Sequence, residues 1–298
     1  MGYTSYNLQS RSVRADSLGY KTKSVDDLFE QKRKRDIHES MEPSKALLRE
    51  ARDSETHPLS VPIILALDET GSMGKIPEYL VREGLPHMMS NIIERGVPDP
   101  SVLFLAIGDH KSDRHFLQVG QFESGDEELD TWLTRMYPEG NGGGNGGESY
   151  SLAWYYAANH TSTDSFEKRG KKGFLFTVGD EPCHQTIPAS AIKELMGENP
   201  ERSFSDVELL TAAQKMYNVY HLHIMEGYTG YRSLSYWKEL LGENCVEVED
   251  YRNVHKIIAQ IVVDNTETSN PTKKPGKIVI TEKETVTTKP TADDDMFL

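Results

Sequence analysis

Val61-Pro62-Ile63-Ile64-Leu65-Ala66-Leu67-Asp68-Glu69-Thr70-Gly71-Ser72 is the stretch that decides the fold. Its apolar residues run from Val61 to Leu67 without a polar break, the pattern of a central strand covered on both faces. A carboxylate and two hydroxyls follow at once, around a glycine. In an open α/β sheet, ligands bind at the carboxyl ends of the strands. Asp68 is expected to stand at that end, with Thr70 and Ser72 on the same side of the turn. Three hard oxygen ligands then converge, a donor set that suits Mg²⁺ or Mn²⁺.

Outward from this stretch, strand and helix signals alternate. Tyr79, Leu80, Leu85, Met88, Met89, Ile92 and Ile93 recur at helical spacing, and Gly96 and Pro98 stop that helix. Residues 102–107 read as a second strand and 116–122 as a third. The polar turn between them, 110–114, is too short for a crossover helix, so the two are expected to pair antiparallel at a sheet edge. A helix over 127–136 precedes the loop Gly140-Asn141-Gly142-Gly143-Gly144-Asn145-Gly146-Gly147, and another helix covers 149–158. Strands follow at 174–178, 219–225 and 245–248. Ser205-Asp206-Val207-Glu208 is a capping box opening a helix toward Met216, and 254–263 reads as a closing helix.

These signals place one α/β domain over residues 58–265. Residues 1–57 read as a polar, partly helical N-terminal arm that packs on the domain or on a partner. Helices are expected there over 25–35 and from Pro43 onward, where Leu47, Leu48 and Ala51 form a short apolar stripe. Residues 266–298 are rich in Thr, Lys, Glu and Pro and have little to bury, so a disordered tail is expected. Its tip, Asp293-Asp294-Asp295-Met296-Phe297-Leu298, turns from acidic to apolar.

Composition narrows the function. The chain has 298 residues, 37% of them hydrophobic, enough for a real core. A formal net charge of −14 opposes binding to nucleic acid or anionic membranes. Two cysteines, Cys183 and Cys245, cannot build a disulfide framework, which suggests a reducing compartment. No apolar signal core opens the sequence, and no run approaches the roughly 20 apolar residues of a membrane helix. A cytoplasmic protein is the expectation.

Two more loops bring oxygens toward Asp68. The strand at 174–178 runs into Gly179-Asp180, and the glycine-rich loop ends Gly147-Glu148-Ser149 at the start of a helix. This set resembles the metal-ion-dependent adhesion site of von Willebrand factor A (vWA) domains. The family's first motif, Asp-x-Ser/Thr-x-Ser, is matched by Asp68, Thr70 and Ser72, and its later Asp after an apolar strand by Asp180. Its middle loop normally supplies a Thr; here Asn145, Glu148 and Ser149 stand instead. The pattern Gly-Gly-Gly-Asn-Gly-Gly-Glu-Ser, with the later Gly-Asp-Glu-Pro-Cys-His, is most similar to the branch found with α-kinases and in bacterial or phage proteins. By that match Glu148 takes the middle-loop role.

The resemblance spans residues 62–263. It implies a three-layer α/β/α Rossmann-like vWA fold, with a mostly parallel central sheet and one antiparallel edge strand. It implies a Mg²⁺ (or Mn²⁺) site of Asp68, Thr70, Ser72, Glu148 and Asp180, with Asn145, Ser149, Asp109 and His184 as candidate supporting residues. It further implies a binding module, not an enzyme: the ion keeps one position open for an acidic side chain of a protein partner. The acidic tail tip has the chemistry to fill such a position in a neighbouring copy or to dock in a basic groove on a partner, so self-association or partner binding is expected of it beside simple solubility.

Blander readings stand beside these. Asp68, Thr70 and Ser72 are also helix-capping types, and Glu148 also suits a helix first turn. Asp109 could be an ordinary edge-turn acid, and His184 a packing or hydrogen-bonding residue. A haloacid-dehalogenase-type phosphohydrolase would use Asp68 as nucleophile with Gly179-Asp180, but Thr70 stands where its second acid belongs. Thr70-Gly71-Ser72-Met73-Gly74 nearly matches a hydrolase nucleophile elbow, yet Asp180 and His184 are too close in sequence for the usual triad loops. The glycine loop lacks the lysine of a phosphate-binding P-loop.

Overall fold

The computed structural model describes residues 4–97, 99–140, 146–226 and 230–267, without the side chains of Ser72 and Glu267. Asn145 and the tail from residue 268 lie outside the described residues. The central sheet has six strands: β1 (Val61–Asp68), β2 (Pro100–Ile107), β3 (Leu117–Val119), β4 (Gly173–Gly179), β5 (Tyr217–Ile224) and β6 (Cys245–Val248). Their order is β6-β5-β4-β1-β2-β3, and every pairing is parallel except β2 with β3. This is the doubly wound arrangement, in which the chain turns from one side of β1 to the other. The expected α/β class, with a mostly parallel sheet and one antiparallel edge, is the fold observed.

Alternation along β1 divides the core. Ile63, Leu65 and Leu67 face one layer, which contains α1 (Leu8–Ser17), α2 (Leu85–Glu94), α3 (Asp126–Thr134) and α8 (Val254–Glu267). Ile64 and Ala66 face the other, with α4 (Ser151–Asn159), α5 (Ala189–Met196), α6 (Asp206–Ala213) and α7 (Gly230–Leu241). The capping box read at Ser205 and Glu208 opens α6.

Within residues 4–57, the part up to Met41 packs on the first layer, whereas Ala46 and Ala51 join the second. Arg11 is buried and binds Asp130 of α3 through Nε at 3.3 Å and Nη2 at 3.2 Å, while Arg14 holds Asp126 and Asp130 at 2.5 and 2.9 Å. Phe29 and Met41 are fully buried in the same core. The helix expected over 25–35 is two short ones, Val25–Leu28 and Glu30–Lys34, broken at Phe29 as that ring turns inward. The helix expected from Pro43 is corrected. A single turn, Pro43–Lys45, is followed by the strand Arg49–Ala51, which pairs parallel with Thr161–Thr163. Leu47 and Leu48 are exposed, so no partner rewards their helical spacing. Among the described residues, no helix is long and apolar enough to cross a membrane.

Register positions the site. Asp68 at the end of β1 lies opposite Ile107, one residue before Gly108-Asp109. Leu67 lies opposite Val178, one residue before Gly179-Asp180. Three central strands therefore end level, and their loops share one rim.

Candidate metal centre

Asp68 is almost wholly buried. Its Oδ1 accepts the Thr70 amide N–H at 2.8 Å and the Thr70 hydroxyl at 2.6 Å. Its Oδ2 accepts the phenol of Tyr150 at 2.5 Å. Hydroxyls and an amide thus hold this carboxylate. Tyr150 reaches it because residue 179 has no side chain: a Cβ on Gly179 would lie 1.9 Å from Tyr150 Oη and 2.8 Å from Asp68 Oδ2. The close approach of β4 to Asp68 is what the glycine permits.

Glu148 enters from the middle loop. Its amide donates to the Pro182 carbonyl at 2.9 Å, and its own carbonyl accepts from the His184 amide at 3.0 Å. These bonds stitch the loop after the glycine run to the loop after β4 and hold Glu148 inward, 4% exposed. The Thr70 hydroxyl lies against the Glu148 carboxylate, yet Glu148 Oε2 has no hydrogen-bond partner among the described residues. Asp180, 6% exposed, follows β4, and its main-chain carbonyl accepts the Ser233 hydroxyl at 2.5 Å.

Burial sets the electrostatics. It raises Asp68 to about 7, with Asp180 adding to the rise and the Thr70 and Tyr150 hydrogen bonds opposing it. Burial, then the charges of Asp68, Asp109 and Asp113, raise Glu148 to about 10. Glu69 is buried beside them and raised well above its usual range, first by burial and then by Asp68. Each rise means that the ionised form lacks enough compensating positive charge. A bound cation is one way to supply it.

A second cluster lies along the same rim. Asp109 is fully buried after β2. Its Oδ1 faces His184 Nε2 at 2.7 Å and accepts the Lys111 amide at 3.0 Å, and its Oδ2 accepts the Ser112 hydroxyl at 3.1 Å. His110 Nδ1 meets Ser149 Oγ at 2.7 Å, and Lys111 Nζ lies 3.0 Å from His184 Nδ1. One ligand atom each from Asp109, His110 and His184 lie within 4.8 Å of one another, a buried group that could hold a metal ion.

Of the residues singled out in the sequence, Asp68, Thr70, Glu148 and Asp180 come together. Ser72 lies in the short helical turn Gly71–Gly74, its side chain outside the described set, as is all of Asn145. Ser149 turns its hydroxyl to His110, and Asp109 pairs with His184. Cys183 is buried, and burial pushes its thiol up to about 12, the condition of a packing residue. Trp154 and Tyr156 are core residues. Sequence reasoning missed Tyr150, Glu69, His110 and Lys111. Glu69 and Tyr150 do adjoin the motif residues Asp68 and Ser149, which is the signal that could have drawn attention to them.

No protein-family model and no curated protein matches the sequence. Solved structures do resemble the fold. The pilus adhesin SpaC from Lactobacillus rhamnosus GG, in an open conformation, aligns with a TM-score of 0.49 at 10% identity, covering 73% of this chain and 31% of that one. The vWF domain of the type V pili tip protein Mfa5 from Porphyromonas gingivalis aligns at 0.45 and 8% identity, covering 74% and 98%. An aerotolerance-related membrane protein from Bacteroides fragilis aligns at 0.40 and 15%, covering 68% and 99%. The matched region is about a third of SpaC. Such distant likenesses imply no shared ligand or activity.

Proposed function

We propose that this chain is a divalent-metal-dependent protein-binding module of the adhesion-site type. Asp68, Thr70, Ser72, Glu148 and Asp180 would hold Mg²⁺ or Mn²⁺, and the ion would take a carboxylate from a protein partner. The observation that carries the reading is Glu148: a buried carboxyl whose Oε2 has no partner among the described residues, in the field of Asp68, on a loop stitched to the one after Asp180. Buried polar atoms are rarely left unpaired, and a cation among these oxygens would satisfy them.

A binding role is favoured over hydrolysis with Asp68 as nucleophile. Thr70 stands where that mechanism needs a second acid, and its hydroxyl donates to Asp68 Oδ1, at 2.6 Å. The proposal extends to a cytoplasmic adaptor, as the resemblance to the bacterial and phage vWA branch implies, and to the acidic tail tip as one source of the captured carboxylate.

The test is a Mn²⁺ titration followed by the relaxation rate of water protons. Bound Mn²⁺ with an open, water-filled position enhances relaxation, and added acetate should reduce the enhancement by displacing that water. Asp180→Ala should lose the effect. No enhancement in the wild type at millimolar Mn²⁺, or the same enhancement in Asp180→Ala, would overturn the proposal.

A further inference from the structure

We propose that Asp109, His110 and His184 form a second metal site, one that takes a borderline transition ion such as Zn²⁺ or Co²⁺, and that Lys111 competes with the ion for His184. This inference does not depend on the oxygen-ligand site at Asp68.

Donor chemistry separates the two sites. The set around Asp68 is all oxygen, suited to hard ions. The second cluster offers two imidazole nitrogens and one carboxylate, a mixture that favours Zn²⁺ and its neighbours over Mg²⁺. Its spacing fits. Metal–ligand bonds of about 2.0–2.2 Å in a tetrahedral site put ligand atoms about 3.3 Å apart. Asp109 Oδ1 is 2.7 Å from His184 Nε2 and 4.0 Å from His110 Nδ1, so adjustments of well under about 1 Å bring both into range. Ser149 Oγ or a water would supply the fourth position, since that hydroxyl already sits 2.7 Å from His110 Nδ1.

The carboxylate is held in place beforehand. The Lys111 amide and Ser112 hydroxyl fix Asp109, as second-shell partners fix metal ligands elsewhere. The His184 backbone is anchored by its bond to Glu148.

Lys111 explains how the group is satisfied without an ion. Its ammonium can only donate, so His184 Nδ1 accepts and Nε2 carries the hydrogen toward Asp109. That tautomer cannot ligate through Nε2. For a metal to enter, Lys111 must withdraw and the imidazole hydrogen must sit on Nδ1. Lys111 is exposed, and its flexible stem lets the ammonium leave for water. The lysine is therefore an internal cation that weakens the site without abolishing it.

The test is titration of the full chain with Co²⁺, read by its visible d–d absorption, with excess Mg²⁺ present to occupy the oxygen site. One Co²⁺ should bind with the intense bands of a low-coordinate, nitrogen-containing site, and Zn²⁺ should displace it. His184→Gln should weaken binding at least about tenfold. Lys111→Met, at an exposed position that leaves the fold undisturbed, should tighten it by a similar factor. Asp68→Asn should leave the bands in place, which separates this site from the one proposed above. Absence of bands in both the wild type and Lys111→Met, or bands indifferent to His184→Gln, would overturn the site. Unchanged affinity in Lys111→Met would overturn the competition.

Discussion

Glu148→Gln perturbs the charge of the candidate centre while keeping its shape. In the folded protein, burial reinforced by Asp68 and Asp109 holds the Glu148 carboxyl up at about 10, against an ordinary value of 4.5. Without metal at pH 7, the folded state therefore keeps a proton that the unfolded chain has released. Retaining it costs about 1.4 kcal/mol for each pH unit above the unfolded value, or about 3 kcal/mol at pH 7. The folded form binds the proton more tightly, so this contribution to stability is fully present below pH 4.5 and is lost as pH rises toward 10. Glutamine is close in shape and needs no proton. With chelator present, the variant should be more stable than wild type by up to about 3 kcal/mol at pH 7, or about 6 °C in Tm for a chain of this size. The advantage should shrink to nothing below pH 4.5, where both states of the wild type hold the proton. Urea unfolding followed by circular dichroism across this range measures it. A variant less stable than wild type at pH 7, or an advantage that does not change with pH, would refute the reasoning.

Three further substitutions probe the frame around the centre. Gly179→Ala drives a methyl into Tyr150 Oη and Asp68 Oδ2, so it should cost about 1–3 kcal/mol and abolish any response of Tm to Mg²⁺. Arg11→Met strips a buried partner from Asp130 and the Val81 carbonyl while Arg14 still holds Asp130; a loss of about 3 kcal/mol by denaturant titration is expected. Ser205→Ala removes the hydroxyl that caps α6 and should cost about 1 kcal/mol in the same assay.

The parts of the fold that could be read in the sequence are those where local pattern and tertiary role agree. The apolar run of β1 is continuous because that strand is buried on both faces, and Asp68 follows it because the run ends where the sheet does. The short polar turn between β2 and β3 announced the antiparallel edge. Where burial depends on distant partners, the pattern misleads or is silent. Leu47 and Leu48 have helical spacing but no face to cover, and the segment pairs with Thr161–Thr163 instead. Helix α1 buries only Arg11 and Ala15, so it carries no apolar stripe, and its anchor is a charge whose partner lies more than 100 residues away. In the candidate site, Asp68, Thr70, Glu148 and Asp180 were legible as oxygen ligands following strands or glycines. Tyr150 was not, because an aromatic at the start of a helix reads as core, and its hydroxyl finds Asp68 only through the missing side chain of Gly179. The pairing of Asp109 with His184 likewise arises from two loops that only the sheet register brings together.

If the proposed site exists, the rim around Asp68 binds a divalent ion in the folded state. Thermal unfolding in EDTA, Mg²⁺, Mn²⁺ or Ca²⁺, on wild type and Asp68→Ala, tests it most directly, because a ligand that binds only the folded chain must raise Tm by mass action. A rise with Mg²⁺ or Mn²⁺ is expected in the wild type and not in the variant. Equal Tm values in EDTA and in millimolar metal for the wild type, or the same rise in both proteins, would contradict it.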